Sequence, residues 1–457
     1  MTINTSLAIV ILAAGQGKRM YSDLPKVLHR LADKPLLQHV LDTAYQINPT
    51  QLYIVHGHGG AQLQTVFAQT NATWVQQAQQ LGTGHAVAQV LPYLTDNQQI
   101  LVLYGDVPLI PAETLKTLCA QTPSNQVGIL TMTIDNPTGY GRIVRNDSGQ
   151  VIQIIEEKEA DSTTKAIHEI NTGIMLIPVN ALRTWLQQLT NHNAQGEYYL
   201  TDIIALAVRD GINITTHSPR HEYDVLGVND RLQLATLERY YQQQQIITLM
   251  QQGLSVRDPA RLDIRGQVSI GRDVCVDINV IFEGVIKLGN RVTIGANCIL
   301  KDVEIADDVE IRSHCVLESC TVGANSIIGP FARLRPDTVL AEQVHIGNFV
   351  EVKKTTVGIG SKINHLSYIG DSEIGAGVNI GAGTITCNYD GVNKFKTIIE
   401  DGAFIGSDTQ LVAPVTVGKG ATIGAGSTIV HDTPAEKLTL SRAQQITIEQ
   451  WQKPVKK

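Results

Sequence analysis

Residues 264–300 read IRGQVSIGRDVCVDINVIFEGVIKLGNRVTIGANCIL, and every sixth position is a large apolar residue: Ile264, Ile270, Val276, Phe282, Leu288, Ile294 and Leu300. A period of six fits neither the 3.6-residue repeat of an α-helix nor the alternation of a plain strand. It suits a parallel β-helix, in which each hexapeptide forms one short side of a triangular coil. The recurring side chain then points into the prism, about 4.8 Å from its equivalent in the next coil. The register persists with one-residue slips through Ile305, Ile311 and Leu317, then Val322, Ile328, Leu334, Leu340, Ile346 and Val352, then Val357, Ile363, Ile369, Ile374 and Ile380. It resumes with Ile399, Ile405, Leu411, Val417, Ile423 and Ile429. Glycine often follows the apolar residue, as at Gly271, Gly295, Gly347, Gly381 and Gly424, and is read as a corner residue tolerating backbone angles that a β-carbon would penalise. The interruption at 384–398, containing Asn388-Tyr389-Asp390-Gly391, is expected to protrude as a loop of the kind that carries binding function on solenoids.

Upstream the pattern differs. Residues 1–229 alternate β-rich apolar runs (Ala8–Leu12, Leu52–Val55, Ile100–Tyr104) with helix-like segments such as Leu36–Tyr45 and Gly84–Leu91. Such alternation predicts a mostly parallel, doubly wound sheet covered on both faces, with ligands gathering at the carboxyl ends of the strands. Residues 230–252 carry Leu232, Leu234, Leu237, Tyr241 and Leu249 at roughly helical spacing and read as a linker helix. The expected organisation is therefore an α/β domain over 1–229, a linker helix over 230–252, and a β-solenoid over 253–457 that ends in the short basic tail Lys453-Pro454-Val455-Lys456-Lys457.

Composition narrows the function. Aromatic residues make up 5% of the chain and the net charge is -7, so neither a base-stacking surface nor a global basic field exists to draw nucleic acid or anionic lipid. Any phosphate site must be local. The six cysteines (Cys119, Cys275, Cys298, Cys315, Cys320, Cys387) form no C-x-x-C pair, which argues against zinc or a disulfide framework and for a reducing cytoplasm. The apolar run Leu7–Ala14 lacks a preceding basic residue and leads directly into Gly15-Gln16-Gly17-Lys18-Arg19, so it reads as a buried strand rather than a targeting segment, and no other run approaches the length of a membrane span.

That glycine-rich turn, Leu12-Ala13-Ala14-Gly15-Gln16-Gly17-Lys18-Arg19-Met20 with Pro25-Lys26 beyond it, follows the first strand, where backbone N–H groups can approach phosphate oxygens. Arg19 and Lys26 add charge where a triphosphate would lie. The turn lacks the G-K-[ST] ending of a Walker loop and is not a full G-x-G-x-x-G fingerprint. Asp106 ends an apolar strand, which puts a hard oxygen ligand at the sheet's carboxyl edge.

The whole string, with Gln77, Leu81-Gly82-Thr83-Gly84, Tyr104-Gly105-Asp106, Gly139-Tyr140-Gly141-Arg142, Glu156, Asn171-Thr172-Gly173 and Gly227-Val228-Asn229, closely resembles the sugar-phosphate nucleotidyltransferase signature. Over essentially the entire chain the sequence is similar to the bifunctional N-acetylglucosamine-1-phosphate uridyltransferase/glucosamine-1-phosphate acetyltransferases. The resemblance implies a left-handed β-helix, an exception to the usual right-handed crossover. It also implies that Leu12, Ala13, Ala14, Gly15, Lys26, Gln77, Gly82, Thr83, Tyr104, Gly105, Asp106, Gly141, Glu156, Asn171 and Asn229 form the UDP-sugar site. Within that set, Gln77, Gly82 and Thr83 face the uracil, Gly141, Glu156 and Asn171 face the N-acetylated sugar, and Asp106 with Asn229 holds Mg²⁺. Arg19 and Lys26 would stabilise the pyrophosphate leaving group. A sugar-1-phosphate is already anionic, so its attack on the α-phosphorus of UTP needs positioning and charge neutralisation rather than a general base.

In the solenoid the same resemblance makes His365 the general base that removes a proton from the amine of glucosamine-1-phosphate as it attacks the thioester of acetyl-CoA. Arg335, Lys353, Tyr368 and Asn379 would bind the acceptor. Ala382, Asn388, Tyr389, Ser407, Ala425 and Arg442 would line the acetyl-CoA site, with the Ser407 region stabilising the oxyanion. Glu351 is a candidate to orient the imidazole, and Cys387 reads as structural. The implied substrates are small molecules alone, with no nucleic acid or membrane partner. The implied assembly is a homotrimer, with the acetyl-transfer site formed between neighbouring subunits. The alternative is a monofunctional sugar-1-phosphate nucleotidyltransferase whose β-helix is structural or regulatory.

Overall fold

The computed structural model describes residues 6–15, 17–57, 59–454 and 456. Gln16 of the glycine turn and Val455 and Lys457 of the tail lie outside the described residues. The chain divides into two compact units at Tyr241/Gln242.

The first unit is built on a nine-stranded sheet whose main path runs Ile214–His217, Val127–Thr133, Glu169–Pro178, Gln98–Tyr104, Ser6–Ala13, Gln51–His56 and Thr73–Gln76. All neighbours on this path are parallel except Glu169–Pro178, which runs antiparallel to both of its neighbours. The central strands are nearly continuous apolar runs because both faces are covered. Ala8 and Val10 join one buried cluster, while Ile9 and Ile11 join the other. Leu36–Tyr45 is a helix at the bounds the sequence suggests, and Thr83–Ala88 forms the helix expected near Gly84. A hairpin, Arg142–Arg145 with Val151–Ile155, branches off the sheet. The helix Arg231–Gln251 runs through the unit boundary. Its first half packs Leu237 and Tyr241 with Met20, Leu31 and Leu36, and its second half puts Ile246 and Leu249 into the core of the second unit. Leu232 is exposed instead of lying on the apolar face.

The second unit is a stack of parallel strands arranged in two long ladders of 11 and 13 strands. The six-residue series is its interior: Phe282, Leu300, Leu317, Leu334, Val352 and Ile369 are each fully buried in one contiguous core. Each such side chain contributes roughly 1.5–3 kcal/mol of burial. The slips in phase are real changes in coil length. Phe282 pairs with Leu300, 18 residues on, whereas Ile286 pairs with Val303, 17 on, so one residue is lost at the Asp302 corner.

Two sequence expectations need correction. Glycines after the inward residue do not adopt left-handed angles there; they are needed because the next coil passes too close. A β-carbon on Gly347 would sit 2.0 Å from the Asn364 carbonyl oxygen, and one on Gly381 would sit 2.6 Å from the Ser407 nitrogen. The left-handed corners are occupied by residues such as Asn279, Asn297, Phe331 and Phe349. The protruding loop is also shorter than 384–398, because Ile385–Cys387 and Thr397–Ile399 are strands of the stack. Thr386 is buried at a position held by Leu411 in the next coil, so the apolar pattern lapses there while the coil continues. What protrudes is a small hairpin closed by Phe395 N–H donating to the Asn388 carbonyl at 2.9 Å and by pairing of Tyr389 with Lys394.

Candidate functional site

In the first unit the strands Ser6–Ala13 and Gln98–Tyr104 are parallel and in register, Leu12 opposite Tyr104, so the glycine turn and Asp106 emerge at the same edge. Gly17 there has φ +63, and a β-carbon on it would meet the Lys26 β-carbon at 2.7 Å. The turn must therefore be glycine for Lys26 to lie against it. Val228 N–H donates to the Asp106 carbonyl at 2.9 Å, which brings the next residue, Asn229, alongside Asp106. Lys26 Nζ then donates to Asp106 Oδ2 and, at 3.1 Å, to Asn229 Oδ1.

Beside this triad lies a cleft of about 520 Å³, lined by Leu12, Ala13, Ala14, Gly15, Lys26, Gln77, Gly82, Thr83, Tyr104 and Asp106, all named by the sequence reading. Lys18, Val27, Gln80, Ala86 and Glu197 also line it and were not assigned to the site. Lys18 belongs to the quoted turn, but Glu197 is far from any motif and reaches the cleft only through chain topology. Arg19 is exposed and is not among the lining residues; its neighbour Lys18 is. Gln77 is buried, and its amide nitrogen donates to the Gly82 carbonyl at 3.1 Å.

Gly141, Glu156 and Asn171 gather behind Tyr104. Asn171 N–H donates to the Gly141 carbonyl at 2.8 Å, and a β-carbon on Gly141 would lie 3.4 Å from both Glu156 carboxylate oxygens. Burial pushes the Glu156 carboxyl up, against the opposing hydrogen bond from the Thr201 hydroxyl at 2.9 Å. Tyr104 is likewise pushed up, by burial first and then by the carboxylates of Glu156 and Asp106. Gly105 is held to the first strand by its N–H donating to the Leu12 carbonyl at 2.9 Å. Arg142 is a buried structural cation, paired with Glu157 at 2.6 Å and donating to the Tyr140 carbonyl.

The donor set suits a hard divalent cation. Asp106 and Asn229 present two oxygens that already converge on one cationic nitrogen. No group of three or more His, Cys, Asp or Glu residues capable of holding a metal occurs among the described residues. Asp106 and Asn229 could hold such an ion through two protein oxygens, with the remaining positions left to phosphate and water.

In the prism the register aligns several of the residues singled out from the sequence. Inward Ile346, Ile363, Ile380, Ile405 and Ile423 stack in successive coils. Two residues beyond each stand Asn348, His365, Ala382, Ser407 and Ala425, one column on one corner. Asn348 and His365 pair directly, and His365 Nδ1 lies 3.0 Å from Asn348 Oδ1. Glu351, considered for orienting the imidazole, is instead paired with Arg335 at 2.8 Å. Arg442 donates to the Ala425 carbonyl at 3.1 Å, at the far end of the column. Around the next side, Lys353 lies in register with Gly370, and Glu351 with Tyr368. Asn379 is on the adjoining face, in register with Lys362 and Phe404. Tyr389 is exposed on the hairpin and Asn388 is buried at its base. Burial pushes the Cys387 thiol up, which disfavours a thiolate nucleophile.

Residues 9–199 match the MobA-like NTP transferase domain family, residues 263–362 the GMPPB C-terminal domain, and residues 396–431 the bacterial transferase hexapeptide family of six repeats. The protein is an enzyme of the nucleotidyltransferase kind carrying hexapeptide transferase repeats. No helix among the described residues is long and apolar enough to cross a membrane.

Proposed function

We propose that the chain acetylates glucosamine-1-phosphate with acetyl-CoA in the prism and then couples N-acetylglucosamine-1-phosphate to UTP in the first unit, giving UDP-N-acetylglucosamine and pyrophosphate. The observation that carries the bifunctional reading is the column Asn348–His365–Ala382–Ser407–Ala425. It sets a hydrogen-bonded imidazole in line with the small side chains of Ala382, Ser407 and Ala425, which a passive spacer has no need to align.

In acetyl transfer, His365 Nε2 takes a proton from the acceptor ammonium. The freed amine nitrogen attacks the thioester carbonyl, the C–S bond breaks, and the coenzyme leaves as its thiol, taking the second proton that the acylated nitrogen gives up. Asn348 at Nδ1 fixes the ring so that the other nitrogen faces the acceptor. Arg335, Lys353, Tyr368 and Asn379 would hold the sugar phosphate, and Ala382, Asn388, Tyr389, Ser407, Ala425 and Arg442 the thioester and its carrier. An assembly of three copies, with this site between neighbours, would cover the exposed stack His314–Phe331–Phe349, whose successive rings lie 4.7 and 5.3 Å apart.

In uridylyl transfer, the sugar phosphate oxygen attacks the α-phosphorus and pyrophosphate leaves. Backbone N–H groups of the glycine turn would bind the phosphates, with Gln77, Gly82 and Thr83 at the base and Gly141, Glu156 and Asn171 at the sugar. Asp106 and Asn229 would hold Mg²⁺, which when bound supplies positive charge to the phosphate oxygens. Lys26, released from that pair, is placed to neutralise the leaving group together with Arg19 or its cleft-lining neighbour Lys18.

The test is a coupled assay on the purified full chain, leaving out one substrate at a time. Release of coenzyme thiol should require both acetyl-CoA and glucosamine-1-phosphate but not UTP. Pyrophosphate release should require UTP and the N-acetylated sugar phosphate. Pyrophosphate release without any thiol release would leave a monofunctional nucleotidyltransferase.

A further inference from the structure

Three lysines crowd one side of the prism beside the hairpin, and a single carboxylate lies among them. Asp371 is buried, with φ 48, a left-handed angle that asparagine and aspartate adopt more readily than most residues. Its Oδ2 accepts from the Asn388 side-chain amide and lies 3.9 Å from Lys353 Nζ; its Oδ1 lies 3.8 Å from Lys354 Nζ. Lys394, from the hairpin, points back to the same cluster, where its neighbour Lys353 holds its pKa below the usual lysine range. A buried carboxylate is tolerated only when its charge is answered, and here ammonium groups and an amide answer it.

The register explains the placement. Lys353 stands opposite Gly370, one residue before Asp371, while Asn388 lies 17 residues beyond Asp371 in the following coil. Asp371 therefore sits between the coil that carries the lysines and the coil that starts the hairpin. Gly370 keeps the space open, since a β-carbon there would meet the Tyr368 hydroxyl at 2.4 Å and the Asn388 amide nitrogen at 3.0 Å. Asn388 in turn closes the hairpin through its carbonyl, which accepts from Phe395 N–H.

We propose that Asp371 is the positioning residue of the acetyl-transfer site, one carboxylate that fixes the acceptor-phosphate lysine Lys353 on one side and the Asn388 base of the acyl-donor hairpin on the other. The inference rests on the acetyl-transfer reading above. It adds that acceptor and donor sites share a single anchor, so that loss of Asp371 is felt by both substrates although it need touch neither. The three lysines exceed the one carboxylate by two charges, which leaves a net positive patch for a sugar phosphate.

The test uses the full chain carrying Asp371→Ala and, separately, Asp371→Asn, with uridylyl transfer from UTP to N-acetylglucosamine-1-phosphate as the check on folding. Asp371→Ala is expected to raise KM for both glucosamine-1-phosphate and acetyl-CoA, each by about tenfold or more, the scale of a lost charge-assisted hydrogen bond. Uridylyl transfer should stay within about twofold of wild type, since Asp371 lies outside the first unit. Asp371→Asn keeps an oxygen for Asn388 but offers no charge to the lysines. It should therefore restore KM for acetyl-CoA while KM for glucosamine-1-phosphate remains high. That split is something a merely structural role would not produce. A fall in kcat with both KM values unchanged, or a rise in only one KM with Asp371→Ala, overturns the inference. Should Asp371→Ala also lose uridylyl transfer, the near-isosteric Asp371→Asn decides alone: equal changes in both KM values, or none, refute the shared anchor. A wild-type chain that never consumes acetyl-CoA in the presence of its acceptor removes the acetyl-transfer reading and this inference together. An active wild type with unaffected variants removes the inference only.

Discussion

In the first unit Lys26 meets Asn229 across 203 residues of sequence, whereas in the prism His365 meets Asn348 across 17, the length of one coil. The sheet-edge cleft draws its parts from strand ends, a glycine turn and the segment before a long helix, and only the winding of the chain brings them together. The prism gathers its column by repetition, because every coil presents the same position to the same corner. A site made by winding is spread over the unit's whole topology, and a site made by repetition is confined to a few adjacent coils. The first should suffer from changes at scattered positions, the second from changes within one column.

The largest effect that can break this comparison is a reciprocal loss. Asp106→Ala removes one of two cation-facing oxygens and should reduce uridylyl transfer by about 10³ or more, leaving thiol release from acetyl-CoA unchanged. His365→Ala should lower acetyl transfer by about 10²–10⁴ while leaving pyrophosphate release intact. Steady-state rates for both half-reactions on both variants test it. If either variant lost both activities, the sites would not be independent.

A smaller effect sharpens the prism's side. Asn348→Ala should reduce kcat for acetyl transfer by about tenfold, with KM for glucosamine-1-phosphate little changed, because the imidazole loses its orienting partner. Glu351→Gln should do the reverse, raising that KM through Arg335 with less effect on kcat. If Glu351→Gln proved the stronger kcat variant, Glu351 and not Asn348 would be the residue that orients the imidazole.

The smallest effect concerns the sheet-edge site and its cost to stability. Burial raises the Glu156 carboxyl pKa in the folded state. The ionised form is therefore disfavoured on folding, and the penalty grows as pH rises from the unfolded value through the folded one. Glu156→Gln should raise the melting temperature of the first unit by about 1–2 °C at pH 7.5 and leave it unchanged below about pH 4. UDP-N-acetylglucosamine formation should fall in the same variant. Calorimetry at the two pH values checks the sign; a lower melting temperature at pH 7.5 would mean that the carboxylate stabilises the fold.

Much of the architecture was legible because it is periodic. The inward series from Ile264 to Ile429 names the prism core, and the glycine turn followed by Asp106 marks a sheet edge. The errors have physical causes. Thr386 is inward but polar, so an aliphatic count loses the coil there and overestimates the loop. Glycine's role in permitting close approach, as at Gly347, cannot be separated from its conformational role by residue type alone. Glu197 and Asp371 belong to no motif. Their positions at the cleft and among the lysines come from topology and from coil length.

The sequence alone determined the six-residue period, the change of pattern near residue 230 and the candidate groups for phosphate and acyl chemistry, because burial and backbone geometry write themselves into residue spacing. Tertiary structure decided which of those groups meet. Hydrogen bonds and ion pairs act over about 3–4 Å, and spacing along a chain does not fix distances that short. Lys26 reached Asp106 and Asn229, His365 turned to Asn348 and not to Glu351, and Asp371 took its place between two coils only once the strands were wound and stacked.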